Sequence, residues 1–132
     1  PDENKIRQAI KDNDVEDNVI ILGKKENPYP YINACDIYAQ PSKYEGKSVC
    51  VREAQILCKP VLIANYETAP SQVINGKDGI IVDLNNNSIA EGIIEILTNH
   101  KLRDSLINYC KTHNFDNENE FTKIENFIYK SD

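Results

Sequence analysis

Two glutamates, Glu45 and Glu53, flank a short segment whose residue types suit the binding of a phosphate group. Gly46 permits close approach of the backbone to a ligand, and Ser48 is a residue type that favours the N-cap of a helix. The amides from Lys47 to Val49 then fall at the start of a predicted helix, where free N–H groups bind anions and the Lys47 ammonium adds positive charge. The segment therefore predicts a diphosphate site.

The spacing of the two acids gives that site a length. Glu45 and Glu53 are eight positions apart, and a helical path between them spans roughly 12 Å at about 1.5 Å per residue. That distance is comparable with a sugar diphosphate linkage. Because carboxylates are pure acceptors, they suit vicinal hydroxyls. One acid is predicted to hold the transferred sugar and the other to hold the ribose.

Each acid also has a purely structural interpretation. Ser42 and Glu45 fit the pattern S-x-x-E of a capping box, so Glu45 is alternatively a cap of a helix that begins three residues earlier. Glu53 shares a helix face with Val49 and Ile56, so it is either a half-exposed surface acid or a desolvated carboxylate that awaits a hydroxyl-bearing ligand. The residues alone leave both alternatives open.

Alternating apolar patterns predict the elements that position these residues. In chain order they are a helix over 3–13, a strand over 19–22, a helical turn over 27–35, a strand over 36–42, a helix over 47–58, a strand over 60–65, a helix over 68–75, a strand over 79–83, and helices from 88, around 102–110 and around 120–129. The unbroken apolar run 19–22 predicts burial on both faces. Thr68 is the predicted N-cap of one helix, and Ser88 with Glu91 is a predicted capping box. The pattern predicts an α/β fold with an open, doubly wound parallel sheet of about four strands flanked by helices.

Length and charge limit the class of protein. A chain of 132 residues, 40% hydrophobic, is sufficient for one core and too short for two typical domains. It contains no methionine and begins at Pro1, so we interpret residues 1–132 as a single domain that is truncated at its amino terminus. The net charge of -6, with scattered basic residues, argues against nucleic acid as a partner. No apolar run approaches the roughly 20 residues that span a bilayer.

The four cysteines show no metal-binding pattern. They lack CxxC spacing and a nearby histidine, so no metal is expected. We interpret them as reduced, buried core residues, which favours a cytoplasmic location.

The run SKYEGKSVCVREAQILCKPVLIAN at 42–65, with ACDIYAQPS before it and VINGKDGIIVD after it, resembles the retaining glycosyltransferases of family 4. The hallmark of that family is a Glu, seven residues, Glu arrangement, and the resemblance covers 18–83. It implies a partial Rossmann-like domain, the carboxy-terminal donor-binding half of a two-domain (GT-B) enzyme. Such enzymes transfer a sugar from a nucleotide donor, here UDP- or GDP-linked, to an acceptor hydroxyl with retained anomeric configuration.

By this resemblance, Glu45 contacts the donor sugar and is the catalytic residue, and Glu53 binds the ribose hydroxyls. The backbone from Gly46 through Lys47 and Ser48 to Val49 meets the diphosphate or the sugar. The loop near Gly23 and Lys24 approaches the base. No metal or other cofactor is implied, because basic side chains and helix amides stabilise the leaving diphosphate.

Three residues depart from the pattern of the family. Lys47 replaces a usually apolar residue, Arg52 replaces an apolar neighbour of the second glutamate, and Gln72 stands where an acid is frequent. These departures leave the identity of the donor sugar open more than the reaction class. Two other classes remain as alternatives: a non-catalytic nucleotide-binding or interaction module, and a sugar-nucleotide epimerase or phosphorylase of related architecture.

The resemblance also implies partners. The acceptor-binding domain and the first two strands of the donor domain would precede this chain. The intact enzyme would act in the cytoplasm, with peripheral association at the inner face of the membrane as an option, and an abundance of Ile, Asn and Lys favours bacterial polysaccharide or surface-glycan synthesis. Since strand 19–22 would lose its usual neighbour, we expect it either to pair with strand 36–42 or to be covered by another copy of the chain.

Overall fold

Three parallel strands form the centre of the fold in a computed structural model that describes residues 2–115. The strands are β1 (Tyr38–Gln40), β2 (Val61–Ala64) and β3 (Ile80–Val82), in the spatial order β1-β2-β3. Their register places Ala39 beside Leu62 and Ile63 beside Ile81. Because parallel neighbours need crossover connections, each strand is followed by helical segments that return the chain to the same end of the sheet.

Five α-helices surround this sheet in the described part of the chain. They are α1 (Glu3–Asp12), α2 (Tyr29–Ala34), α3 (Val49–Ile56), α4 (Asn86–Thr98) and α5 (His100–Thr112), and a 3-10 helix covers Ala69–Ser71. The helix predicted over 3–13 is confirmed as α1, which has no buried residue. The helices predicted over 47–58 and around 102–110 are confirmed as α3 and α5. The helix predicted around 120–129 lies outside the described residues.

The core lies on both faces of β2, whose four residues are all buried. Val61 and Ile63 pack with Val51 and Ala54 of α3 on one face. On the other face, Leu62 packs in a separate cluster with Ile96 of α4 and Leu106 of α5. This alternation follows from the two-residue period of a strand. The predicted α/β class, with helices flanking an open parallel sheet, is confirmed.

The strand predicted over 19–22 is wrong, and the sheet therefore has three strands instead of about four. Ile20 is 81% exposed, and Val19 and Leu22 are 42% and 46% exposed, so the predicted burial on both faces is also wrong. The segment does not pair with β1, which was one of the two expected outcomes. A strand is defined by its ladder of hydrogen bonds to a neighbour. Within residues 2–115 the outer edges of β1 and β3 carry no strand partner, and segment 19–22 pairs with neither.

Two other predicted helices differ from the structure. The helix expected over 68–75 is reduced to the short 3-10 turn; Thr68 does occupy its N-cap position, but its side chain makes no capping hydrogen bond. Helix α4 is capped by Asn85 instead of Ser88: the Asn85 side chain accepts from the Ser88 amide at 2.9 Å, which places the cap three residues earlier than the predicted box with Glu91. Asparagine is as good a cap as serine, and the pattern did not separate them.

The cysteines are only partly as expected. All four are free, but only Cys110 is buried, Cys35 and Cys58 are partly exposed, and Cys50 is exposed at the start of α3. The prediction of four buried core cysteines is therefore confirmed only for Cys110 and wrong for the other three. No helix within residues 2–115 is long and apolar enough to cross a membrane.

Candidate functional site

The start of α3 lies just beyond the carboxyl end of β1, where parallel sheets place their ligand sites. Ser48 has an extended backbone and caps the helix, with its hydroxyl oxygen accepting from the Val51 amide at 3.4 Å. This confirms Ser48 as the N-cap. The remaining first-turn amides of a helix have no intrahelical acceptor and face outward along the axis.

Gln40, the last residue of β1, ties this helix start to the sheet. Its side-chain oxygen accepts from the Tyr38 hydroxyl at 2.8 Å and from the Ser48 hydroxyl at 3.1 Å. The Ser48 hydroxyl thus accepts from one backbone amide and donates to Gln40. The position of the helix start is fixed relative to the strand by side chains that are all partly buried.

The loop 41–48 between β1 and α3 is held from the opposite side by residues that follow β2. The Thr68 hydroxyl lies 2.7 Å from the Glu45 carbonyl and 3.1 Å from the Gly46 carbonyl, and Gln72 donates its side-chain amide to the same Gly46 carbonyl. Gln72 is buried and accepts from the Tyr66 hydroxyl at 3.3 Å. A carboxylate at position 72 has no donor for that carbonyl, so the glutamine found there has a positive structural role.

Glu45 lies in this loop and is partly buried. One of its carboxylate oxygens accepts from the Ser42 hydroxyl at 2.8 Å. Although this is the side-chain pair that suggested a capping box, residues 42–48 are not helical and α3 begins at Val49. The interpretation of Glu45 as the cap of an earlier helix is therefore wrong.

Glu53 lies on the outward face of α3 and is partly buried. Val49 and Ile56, which share that face, are 68% and 58% exposed, whereas the core side of the helix carries Val51, Ala54 and Gln55. The Tyr29 hydroxyl, from the first turn of α2, donates to a Glu53 carboxylate oxygen at 2.8 Å. Glu53 is thus a half-exposed acid with one phenolic partner.

The two acids act on the same tyrosine. Burial raises the pKa of Tyr38 above its usual range, and the nearby Cys50, Glu53 and Glu45 raise it further. Burial and the charge of Glu45 also raise the pKa of Tyr66. Negative charges near a phenol disfavour phenolate, so both carboxylates lie near enough to Tyr38 to raise its pKa.

Gly46 and Lys47 complete the loop and are both exposed. A Cβ placed on Gly46 would meet no atom within 4 Å, and its φ is not positive. Neither the backbone conformation nor the packing of the described residues therefore requires glycine at this position. A ligand that approaches the backbone would require it.

Gly23 and Lys24 lie in an exposed loop before α2, and Gly23 has a positive φ of 65°. Within residues 2–115, the structure shows no hydrogen bond or ion pair between these two residues and the loop 41–48 or α3. The connection between the two regions is α2 itself, where Lys25 lies over the Tyr31 ring at 5.6 Å and Tyr29 contacts Glu53.

Sequence reasoning missed three residues that build the site: Tyr29, Thr68 and Gln72. Thr68 was predicted only as a helix cap, and Gln72 only as a departure from a family pattern. Their partners are 22 to 26 positions away along the chain, which no local pattern reveals. In the described part of the chain, His, Cys, Asp and Glu form no cluster of three that could hold a metal ion.

Comparison with known proteins identifies the family of the chain. The family model described as glycosyl transferases group 1 matches residues 1–113. The chain is 31% identical over 106 residues to the N-acetylgalactosamine-N,N'-diacetylbacillosaminyl-diphospho-undecaprenol 4-alpha-N-acetylgalactosaminyltransferase of Campylobacter jejuni, which covers 78% of this chain and 29% of that protein. It is 29% identical over 100 residues to the poly(ribitol-phosphate) alpha-N-acetylglucosaminyltransferase of Staphylococcus aureus, which covers 74% of this chain and 20% of that protein.

Solved structures show the same fold. The chain is similar to the crystal structure of Anabaena Alr3699/HepE in complex with UDP, with a TM-score of 0.85 and 21% identity over 95% of this chain and 36% of that chain. At this identity the likeness shows the fold alone. The α/β layers match the carboxy-terminal Rossmann-like domain of GT-B glycosyltransferases.

Proposed function

The chain belongs to the group 1 glycosyl transferase family, and on that basis we propose that it binds the nucleotide-sugar donor of a retaining glycosyltransferase of family 4. The reaction transfers the sugar to an acceptor hydroxyl. The observation that carries the proposal is the pair of acids: Glu45 precedes and Glu53 follows the capped start of α3, which lies at the carboxyl end of β1.

The binding mode follows from the chemistry of each group. Glu45 accepts from hydroxyls of the transferred sugar and is the proposed catalytic residue of the site. The backbone from Gly46 to Val49, with Lys47 and the first-turn amides of α3, receives the diphosphate. Glu53 accepts from the ribose, and Gly23 and Lys24 approach the base. The leaving diphosphate is stabilised by amides and lysine charge without a metal ion.

The names of the relatives support a choice of donor and acceptor to test. The Anabaena structure of matching fold contains UDP, so a UDP-linked sugar is the first donor to test. The Campylobacter relative is named for an undecaprenol-linked acceptor. This supports a lipid-linked sugar as the proposed acceptor in bacterial glycan synthesis, and peripheral association of the intact enzyme with the inner face of the membrane is part of the proposal. Since the chain spans 29% of the length of that relative, the acceptor is proposed to bind a further domain, and this chain alone is proposed to be inactive.

Substitution of Glu53 tests the proposal directly. Calorimetric titration of UDP and UDP-sugars, with GDP compounds alongside, would compare the full-length gene product with its Glu53→Ala variant. A hydrogen bond to a charged group contributes about 1.5 to 3 kcal/mol, so the Kd for the preferred nucleotide should rise more than about tenfold. The matched control is Glu91→Ala, which removes an exposed acid from α4 on the other face of the sheet and should leave the Kd unchanged.

Two outcomes would count against the proposal. An unchanged Kd in Glu53→Ala would remove Glu53 from the site. Nucleotide binding without sugar transfer to any lipid-linked or polysaccharide acceptor would favour the non-catalytic nucleotide-binding module instead.

A further inference from the structure

Tyr29 is held in place at the start of α2 by contacts that do not involve the acids. Its backbone amide donates to the Asn27 side-chain oxygen at 3.1 Å, and the helix is anchored to the core by Ile32, which is 8% exposed. The Tyr29 side chain itself is half-exposed, because 47% of the residue remains accessible. The backbone of Tyr29 is therefore held in place, and its ring borders solvent.

The contact between Tyr29 and Glu53 joins residues that are 24 positions apart. The phenol donates to one carboxylate oxygen, Oε1, at 2.8 Å. Within residues 2–115, the structure shows no other hydrogen bond to this carboxylate. An ionised carboxylate has about four lone-pair sites on its two oxygens, so most of its accepting capacity remains for a ligand.

We propose that Tyr29 is a positioning residue for the donor ribose: its hydroxyl fixes Oε1 of Glu53, so that Oε2 is oriented to accept from the ribose hydroxyls. The inference rests on the proposed function, in which Glu53 binds the ribose. A free glutamate side chain samples many rotamers, and binding has to order it. Fixing one oxygen in advance removes part of that cost, which is the general benefit of a preorganised site.

The protonation state of Tyr29 suits this role. The hydrogen bond to Glu53 and the charge of that carboxylate raise the pKa of Tyr29 above its usual value. The phenol thus remains protonated, and remains a donor, throughout the neutral pH range. Since it is neutral, it orients Glu53 without cancelling the negative charge that strengthens hydrogen bonds to hydroxyls.

The test compares Tyr29→Phe with Tyr31→Phe in the full-length gene product, with UDP and 2'-deoxy-UDP as the titrated ligands. Tyr31 is the matched control, because it lies in the same helix and is 44% exposed. Tyr29→Phe should weaken UDP binding about three- to tenfold, the range expected when binding has to order one more long side chain. It should weaken 2'-deoxy-UDP less, so the preference for the ribonucleotide should shrink. Tyr31→Phe should change neither value.

A double-mutant cycle with Glu53→Ala separates this inference from the proposed function. If Tyr29 acts through Glu53, Tyr29→Phe should have no further effect in the Glu53→Ala background. Wild-type affinity in Tyr29→Phe, equal weakening of both nucleotides, or an undiminished effect in the Glu53→Ala background would each overturn the inference. If Glu53→Ala alone leaves UDP binding unchanged, the proposed function fails first.

Discussion

Two glycines, Gly46 and Gly79, occupy opposite environments. Gly79 directly precedes β3. A Cβ there would lie 2.9 Å from a Val73 methyl group and 3.0 Å from the Val61 carbonyl of β2, so the close packing at this point requires glycine. A Cβ on Gly46 would meet nothing within 4 Å. A requirement for glycine at 46 would therefore come from a bound ligand and would leave the folding of the chain unaffected.

Gly46→Ala should weaken donor binding without lowering stability. If the diphosphate lies against this backbone, the added methyl group should raise the Kd for UDP about tenfold, which corresponds to about 1.4 kcal/mol. The melting temperature should not fall, because the methyl group points into open space. Calorimetric titration and thermal unfolding measure the two effects separately.

Gly79→Ala is the comparison variant for that experiment. Overpacking at a site of this kind costs about 1 to 3 kcal/mol, so this variant should lose stability. Unchanged UDP affinity in Gly46→Ala would show that the ligand does not pass over this part of the loop.

The site residues that could be predicted from the sequence are those whose function follows from local spacing. Ser48, Glu45 and Glu53 lie within one segment of nine residues, where helix capping and acid spacing are visible. Thr68 and Gln72 could not be found in this way, because the carbonyls that they bind lie 22 to 26 positions away. These hydrogen bonds form only because the 3-10 turn after β2 packs against the loop 41–48.

At the scale of elements, α1 and α3 end in the same backbone motif. After α1, Val15 and Asp14 donate their amides to Ile10 and Lys11, and after α3 the equivalent amides of Lys59 and Cys58 are bonded in the same way. The central residues have positive φ, 52° at Asp14 and 56° at Cys58. This is the Schellman arrangement, which glycine usually fills.

Cys58→Gly should therefore stabilise the protein. An L-residue other than Asn or Asp in the left-handed region costs about 1 to 2 kcal/mol, part of which returns as the greater unfolded-chain entropy of glycine. A net gain of up to about 1 kcal/mol is expected, measured as the free energy of unfolding in urea.

Two further variants identify the cause. Cys58→Ala keeps the unfavourable conformation and should give no gain, whereas Asp14→Gly should gain less than Cys58→Gly because aspartate tolerates the left-handed region better. Equal stabilisation by Cys58→Ala and Cys58→Gly would assign the effect to loss of the thiol instead of the backbone.

A helix or strand could be predicted where its own apolar periodicity determines it. It could not be predicted where pairing with another strand determines it. Helix α3 and β2 were identified because each carries its apolar pattern alone. The apolar run 19–22 has the composition of a buried strand, but strand formation requires an edge to pair with, and composition does not supply one. The same limit explains why β1 and β3 are shorter than predicted, since the ladders extend over only three residues of each.

At the scale of the whole molecule, the sheet separates the candidate site from the helices that pack on its other face. The acids, α2 and α3 belong to one face and its strand ends, whereas α4 and α5 cover the other face around Leu62. Substitutions in the second layer should therefore act on stability before they act on the site. One surface fits neither layer: the apolar segment 19–22, which is exposed and unpaired with any strand of residues 2–115.

This exposed segment should make the 132-residue chain self-associate, the second of the two outcomes expected for it. Contiguous apolar surface next to unpaired backbone favours pairing with another chain, and lysine on such a segment prevents it. Sedimentation velocity should show concentration-dependent association of the chain, and Ile20→Lys should sediment as a monomer at the same concentrations. Ile20 is 81% exposed, so its replacement should leave the fold intact.

The control for this experiment is Ile94→Lys. Ile94 lies in α4 and is 57% exposed, and this variant should associate like the unmodified chain. A monomeric unmodified chain, or equal loss of association in both variants, would show that segment 19–22 does not mediate contact between copies.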